Sequence, residues 1–541
     1  MHLIETVLLL LVAVVVSGWV ARITRVPLPL IQIGLGAGVV LITGESVDLN
    51  PEIFFLLFLP PLLFVDGWRI PKEDVFRDRV VILELALGLV IFTVVGLGFL
   101  IHWMIPAMPL AVAFALAAIL SPTDPIAVSA IASRAPIPKR LMHILEGESL
   151  LNDATGLTCM RIAVIAATTG AFSLTNAVGT FAWLAVGGVA AGVAVTLAIS
   201  LVKGMISRRW GEDVGGQILI SLLMPFAAYL AAEAIHASGI LAAVAAGVTM
   251  SFTERKGSAL AATRIRRAVV WDTVQFVANG LIFVILGEQM PSILARAAEV
   301  IQTTQHRDVW WLAIYVLAIV AALAVLRFIW VWTSLKLTLF RRRGRSTPKV
   351  DLRLVAVMSL AGVRGAITLA GILTLPFMLG DGTPMPARNL AIFLAAGVIV
   401  VSLVVASVAL PHLLKNVQLP PETGRLAEED RSRVAAAWAA IRAIEDAQHS
   451  MAEGKPDPDL YADTAARIME VYRHRIETRS ETEAEEIQKA RKADDVERRL
   501  RLAGLAAERE ELIRLSRRRV IDEATARKLI REIDLQEIRY A

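Results

Sequence analysis

Cysteine is all but missing from this sequence. The single one, Cys159, lies inside an apolar stretch, so no disulfide can form within the chain, and no zinc-ligand spacing exists. Histidine is sparse too, at eight residues. The absence of a His-Glu-x-x-His pair, and of a Gly-x-Ser-x-Gly turn inside an apolar helix, removes the usual marks of an intramembrane hydrolase. Charge is scarce over most of the length: the first 420 residues hold 31 Lys/Arg and 23 Asp/Glu, whereas residues 421–541 hold 24 and 27. The net charge of +5 arises from bases in short loops between apolar runs, which excludes nucleic-acid binding as its explanation. The N-terminus lacks the basic leader of a signal peptide, and further apolar segments follow at once, so it reads as a first spanning helix.

What the sequence does have is apolar residues, 56% of the total. A spanning helix needs roughly 20 of them in a row. About thirteen segments qualify, centred in 3–21, 27–43, 53–66, 80–101, 110–133, 141–168, 176–202, 216–235, 238–252, 271–290, 309–335, 353–378 and 388–413. Lys and Arg collect in cytoplasmic loops. Here the odd-numbered loops hold nearly all of them, from Arg22 and Arg25 to the cluster between Lys336 and Arg353, and the even-numbered loops hold Arg296, Arg307 and Arg388. This alternation puts the N-terminus outside and the C-terminus in the cytoplasm of a multi-pass cell-membrane protein. Trp68, Trp103, Trp271, Trp310 and Trp311 read as interfacial anchors. The expected division is a transmembrane domain over 1–415 and a tail over 416–541. Pro420-Pro421 end the last span, and a break near Gly454–Pro458 divides the tail, whose acids and bases at helical spacing predict solvated, paired helices.

Charges deep in a bilayer are costly and therefore face protein or water and carry function. Asp124, Glu148, Asp153, Arg327 and Arg364 fall inside apolar segments. Asp124 sits between Pro122 and Pro125, which cannot both occupy an unbroken helix. A helix interrupted at mid-membrane exposes carbonyls and oriented half-helix ends, from which many secondary transporters build ion sites. In Glu148-Ser149-Leu150-Leu151-Asn152-Asp153, Ser149 and Asp153 share one helix face, and Glu148 and Asn152 a neighbouring one. Hydroxyl, carboxylate and amide oxygens suit a small hard cation. A carboxylate in such a site can hold a proton instead, and one group holding either H+ or Na+ but never both is the core of an exchanger. Arg327 requires a buried anion. Arg364, in Gly362-Val363-Arg364-Gly365, predicts a second interrupted helix with the guanidinium near exposed carbonyl ends, the counterpart expected of inverted repeats.

The runs Phe58-Leu59-Pro60-Pro61-Leu62-Leu63-Phe64, Ser121-Pro122-Thr123-Asp124-Pro125, Gly147-Glu148-Ser149-Leu150-Leu151-Asn152-Asp153 and Gly362-Val363-Arg364-Gly365 resemble the monovalent cation:proton antiporter-1 family, which includes bacterial NhaP-type antiporters and animal sodium/proton exchangers. The likeness covers about residues 1–415 and leaves the tail unmatched. It implies an all-α fold of thirteen helices with a six-helix inverted repeat, whose two interrupted helices cross near 121–125 and 361–366. It also implies a homodimer and elevator-like alternating access. Asp153 is then the main carrier of cation and proton. Na+ would be held by Asp153, the Ser149 hydroxyl and the Thr123 backbone carbonyl, with Asp124 acting through water. Glu148 would pair with Arg327, and Asn152 in place of a second aspartate implies electroneutral one-for-one exchange. The expected partners are monovalent cations, protons, lipid and a second copy of the chain, with no cofactor and no nucleic acid. The tail reads as regulatory, with no partner indicated. The rival readings are K+/H+ exchange on the same scaffold and, more distantly, a cation channel.

Overall fold

Each of the thirteen apolar segments overlaps a helix, or a helix broken in the middle, in the computed structural model, which describes residues 2–44, 50–124, 128–129, 139–170, 173–254, 261–302, 308–341, 352–379, 382–415, 423–453, 458–480 and 484–540. Contacts divide the chain into two compact units, Met1–Val417 and Gln418–Ala541. In the first, α1 spans His2–Thr24, α2 Leu28–Thr43 and α3 Pro51–Arg69. Next come α4, Lys72–Leu83, a π-helical turn at Glu84–Leu89, and α5, Val90–Met104. There follow α6 (Leu110–Leu120), α7 (Lys139–Thr169), α8 (Leu174–Trp210), α9 (Val214–Ala234), α10 (Gly239–Glu254), α11 (Ala261–Ala295) and the short α12 (Ala297–Gln302). The unit ends with α13 (Trp310–Arg341), α14 (Leu352–Leu360), α15 (Ala366–Leu373) and α16 (Arg388–Leu414). Eight candidate spans among the described residues are long and apolar enough to cross a bilayer alone, and α2, α6 and α10 are shorter apolar helices.

Proline and glycine place the helices. Asn50 caps α3, its side-chain oxygen accepting from the N–H groups of Glu52 and Ile53, and Pro51 occupies the first turn, where a missing N–H costs nothing. Small residues let backbones approach where lipid supplies no hydrophobic drive between helices. A Cβ on Gly247 of α10 would collide with the Phe64 carbonyl of α3, and one on Gly192 of α8 with the Ala242 carbonyl of α10. The outward faces stay apolar: Val178, Val186, Leu197 and Leu201 of α8 are all exposed, as a lipid-facing helix requires. Trp103 and Trp310 are exposed, as anchors should be. Trp271 is not. It is fully buried and stacked on Phe64, with ring centroids 5.3 Å apart, because α11 begins ten residues before the expected span and carries Trp271 inward.

Both expected interruptions are present. Helix α6 stops at Leu120, and Pro122, Thr123 and Asp124 are non-helical. Pro125 lies outside the described residues, as do Pro420-Pro421 and 454–457 of the tail break. Between α14 and α15, residues 362–365 are non-helical, and the second half ends at Leu373, short of the expected 378.

The second unit is built of α17 (Thr423–Ala452), α18 (Pro458–Ser480), α19 (Ala484–Arg517) and α20 (Glu523–Tyr540). They pair. Ile441 of α17 and Ala465 and Met469 of α18 make a small buried core, and Arg509 of α19 bridges Asp534 and Glu537 of α20. Asp522 caps α20 by accepting from the Thr525 N–H and hydroxyl, which holds its carboxyl below the usual range.

Candidate functional site

The two interrupted segments touch. The Asp124 N–H donates to the Val363 carbonyl at 2.8 Å, and a Cβ on Gly365 would collide with the Asp124 carboxylate, so glycine is required there. Chain breaks free carbonyls that lipid cannot satisfy. Arg364, 4% exposed, answers them: Nε donates to the Leu120 carbonyl at 2.8 Å, and Nη1 donates to the Gly362 carbonyl. One guanidinium thus caps the C-terminal ends of both half-helices, where the helix dipole also favours a cation.

A small, partly open cavity of about 40 Å³ lies beside the crossing. A cavity needs about 10–15 Å³ to admit one water, so there is room for a few waters or for one ion with part of its shell. Asp124, Pro122 and Thr123 line it from the first break, Gly365, Ile367 and Thr368 from the second, and Ser149 and Asp153 from α7. The opposite wall is Leu62, Leu63 and Asp66 of α3 with Asn279, Ile282 and Phe283 of α11. Ser149 and Asp153 are one turn apart and 8% and 7% exposed. Three carboxylate, three hydroxyl and one amide side chains therefore belong to residues lining a space the size of a partly dehydrated ion.

Behind this wall is a second layer. Glu148 and Arg327, 179 residues apart in sequence, form a bidentate pair: Nη1 to Oε1 and Nη2 to Oε2, both 2.6 Å. Both are buried, at 1% and 2% exposed. Arg327 Nε adds a bond to the Met358 carbonyl at 2.9 Å. Glu148 Oε1 also accepts from the Thr123 hydroxyl at 3.1 Å, and that hydroxyl accepts from Asn152 Nδ2 at 3.1 Å. Asn152 is fully buried and stands behind Thr123, off the cavity wall. The ion pair thus ties the Thr123 side chain to Glu148, with Asn152 as its second partner.

Sequence reasoning brought together Thr123, Asp124, Ser149 and Asp153, and it missed three wall residues, Asp66, Asn279 and Thr368. Asp66 is the last residue of the third apolar segment and is not among the charges singled out; helix α3 continues to Arg69, and Asp66 lines the cavity. Asn279 and Thr368 are neutral polar residues in apolar helices and leave no charge signal.

Residues 9–416 match the family model described as sodium/hydrogen exchanger, transmembrane. The chain is 40% identical over 546 residues to the uncharacterized Na(+)/H(+) exchanger YjcE of Escherichia coli (strain K12), an alignment covering 99% of this chain and 98% of that one. It is 39% identical over 547 residues to the sodium, potassium, lithium and rubidium/H(+) antiporter of Bacillus subtilis (strain 168), covering 100% of this chain and 78% of that one. Among solved structures, the sodium proton antiporter MjNhaP1 from Methanocaldococcus jannaschii at pH 8 shares the fold, with a TM-score of 0.58 over 77% of this chain and 99% of its own at 18% identity. With three quarters of its length matched by the family model and its whole length by the two bacterial relatives, this chain belongs to the transmembrane sodium/hydrogen exchanger family.

Proposed function

We propose that the protein exchanges Na+, and Li+ with it, for protons across the cell membrane, one for one, with both ions competing for Asp153. The observation that carries the reading is the small cavity where two interrupted helices cross, walled by Asp153, Asp124 and Ser149. A buried carboxylate there is neutralised by a cation or by a proton, and an empty charged site is the costly state. Exchange follows when only a neutralised site changes sides. The bidentate grip of Arg327 on Glu148 supports assigning this acid to structure and not to transport. Thirteen spans in inverted halves, an outside N-terminus, a cytoplasmic tail acting as a regulator, and a homodimer complete the proposal. The printed name of the Bacillus subtilis relative includes potassium and rubidium, which favours K+ as a second substrate on the same scaffold.

The test is collapse of an imposed pH gradient in proteoliposomes by Na+, Li+, K+, Rb+ and choline. Na+ and Li+ are expected to collapse it and choline to leave it intact; collapse by choline would mean an unselective leak. Competition makes a second prediction. Raising the proton concentration should raise the apparent Michaelis constant for Na+ and leave the maximal rate nearly unchanged. With Asn152 uncharged, each half-cycle carries one positive charge, so an imposed membrane potential should not alter the rate. A rate that climbs with potential would require a second titrating acid, Asp124 or Asp66.

A further inference from the structure

The wall of the cavity formed by α3 and α11 continues into a chain of polar groups. Gln275 Nε2 of α11 donates to Asp66 Oδ1 at 3.3 Å. Gln275 Oε1 accepts from Arg69 Nη1 at 2.9 Å, and Arg69 Nη2 reaches Asp272 Oδ1 at 2.6 Å. The chain runs from Asp272, with a side chain 64% exposed, to Asp66 on the cavity wall. Asp66 and Arg69 lie three residues apart on one helical face, so a single glutamine from the neighbouring helix reaches both. The amide has no freedom to flip. A guanidinium only donates and a carboxylate only accepts, so the amide oxygen must face Arg69 and the NH2 must face Asp66.

We propose that Gln275 is a positioning residue for transport: it holds the Asp66 carboxylate on the cavity wall, toward the cation, with Arg69 fixing the orientation of its amide. The inference rests on the exchange reading above. Asp66 needs such a donor. Asp124 and Asp153 share its cavity, and Arg69, the cation on its own helix, bonds Asp272 and Gln275. On the adjoining α10, Glu254 is occupied by the Trp68 indole at 2.8 Å and by Arg267 at 2.7 Å. Among the described residues Gln275 is the hydrogen-bond donor to the Asp66 side chain. Without it, repulsion from the other acids turns the carboxylate away, and the cation loses one of its charged neighbours.

The test compares Gln275→Met, which keeps length and volume, with Gln275→Asn, which keeps the amide but is one methylene too short to span both partners. In proteoliposomes at fixed pH, each should raise the apparent KM for Na+ about tenfold, the usual order for one charge-assisted hydrogen bond. The maximal rate should stay within about twofold. In an Asp66→Asn background, Gln275→Met should add nothing. A KM unchanged in both variants, or an equal further rise in the Asp66→Asn background, overturns the proposal. A merely structural role would lower the melting temperature and the maximal rate together and leave KM in place, which also overturns it. Absence of Na+-driven proton movement in the unmutated protein would instead refute the exchange reading itself.

Discussion

Asp153→Asn is expected to reduce Na+-driven proton movement to the level of protein-free liposomes. Asparagine is nearly the same size, so the cavity and the helix α7 that carries it should persist. What changes is chemistry. An amide neither binds a proton at any accessible pH nor presents a full charge to a cation. Asp153 shares a helix face with Ser149, lines the cavity and is 7% exposed, so the substitution acts on the cavity wall itself. Asp124 and Asp66 remain on the wall and can still attract cations, which makes the prediction sharp: binding without coupled exchange is the anticipated residual behaviour. The variant should insert and melt like the unmutated protein. Two readings decide the matter, gradient collapse by Na+ in proteoliposomes and a melting curve in detergent. Retained exchange in a folded Asp153→Asn protein would move the carrier role to another acid.

The parts of this fold legible in sequence were those that hydropathy, proline and buried charge control. Pro122 and Pro125, which no intact helix accommodates together, and the glycines flanking Arg364 announced two broken helices, and both breaks are present. Arg327 demanded an anion on charge grounds, and Glu148 meets it across 179 residues of sequence. Less legible was anything depending on where a helix starts. Helix α11 begins at Ala261, so Trp271, which looked like the first residue of a span, is in the interior. Asp66 was hidden at the other end of a helix: an acid closing an apolar run is ordinarily interfacial, yet α3 runs on to Arg69 and Asp66 lines the cavity. Gln275 could not have been singled out at all. Its role lies in two contacts to another helix, and a lone glutamine in an apolar helix carries no pattern.

Glu148→Ala and Arg327→Ala should each lower thermal stability substantially. Removing one partner of a buried ion pair leaves an uncompensated charge, at a typical cost of about 3–5 kcal/mol. The geometry argues for the upper part of that range, since both bonds are 2.6 Å and both residues are almost completely buried. Arg327 does retain its bond to the Met358 carbonyl, so losing Glu148 should be partly cushioned. The double variant should therefore lose less than the sum of the two singles, because neither charge is left stranded. Function should not follow stability. The Thr123 hydroxyl donates to Glu148 Oε1, so even a well-folded Glu148→Leu/Arg327→Met protein, in which apolar side chains replace the pair, loses the acceptor that fixes Thr123 at the break. That protein is expected to melt close to the unmutated one, since apolar replacement of a buried pair is often neutral, yet to bind Na+ more weakly. Melting curves for the cycle of single and double alanine variants, and the apparent KM for Na+ of the apolar double variant, test the two halves separately. Strict additivity in the cycle would mean that the two charges do not meet in the membrane. An unchanged KM would mean that Thr123 needs no support from Glu148.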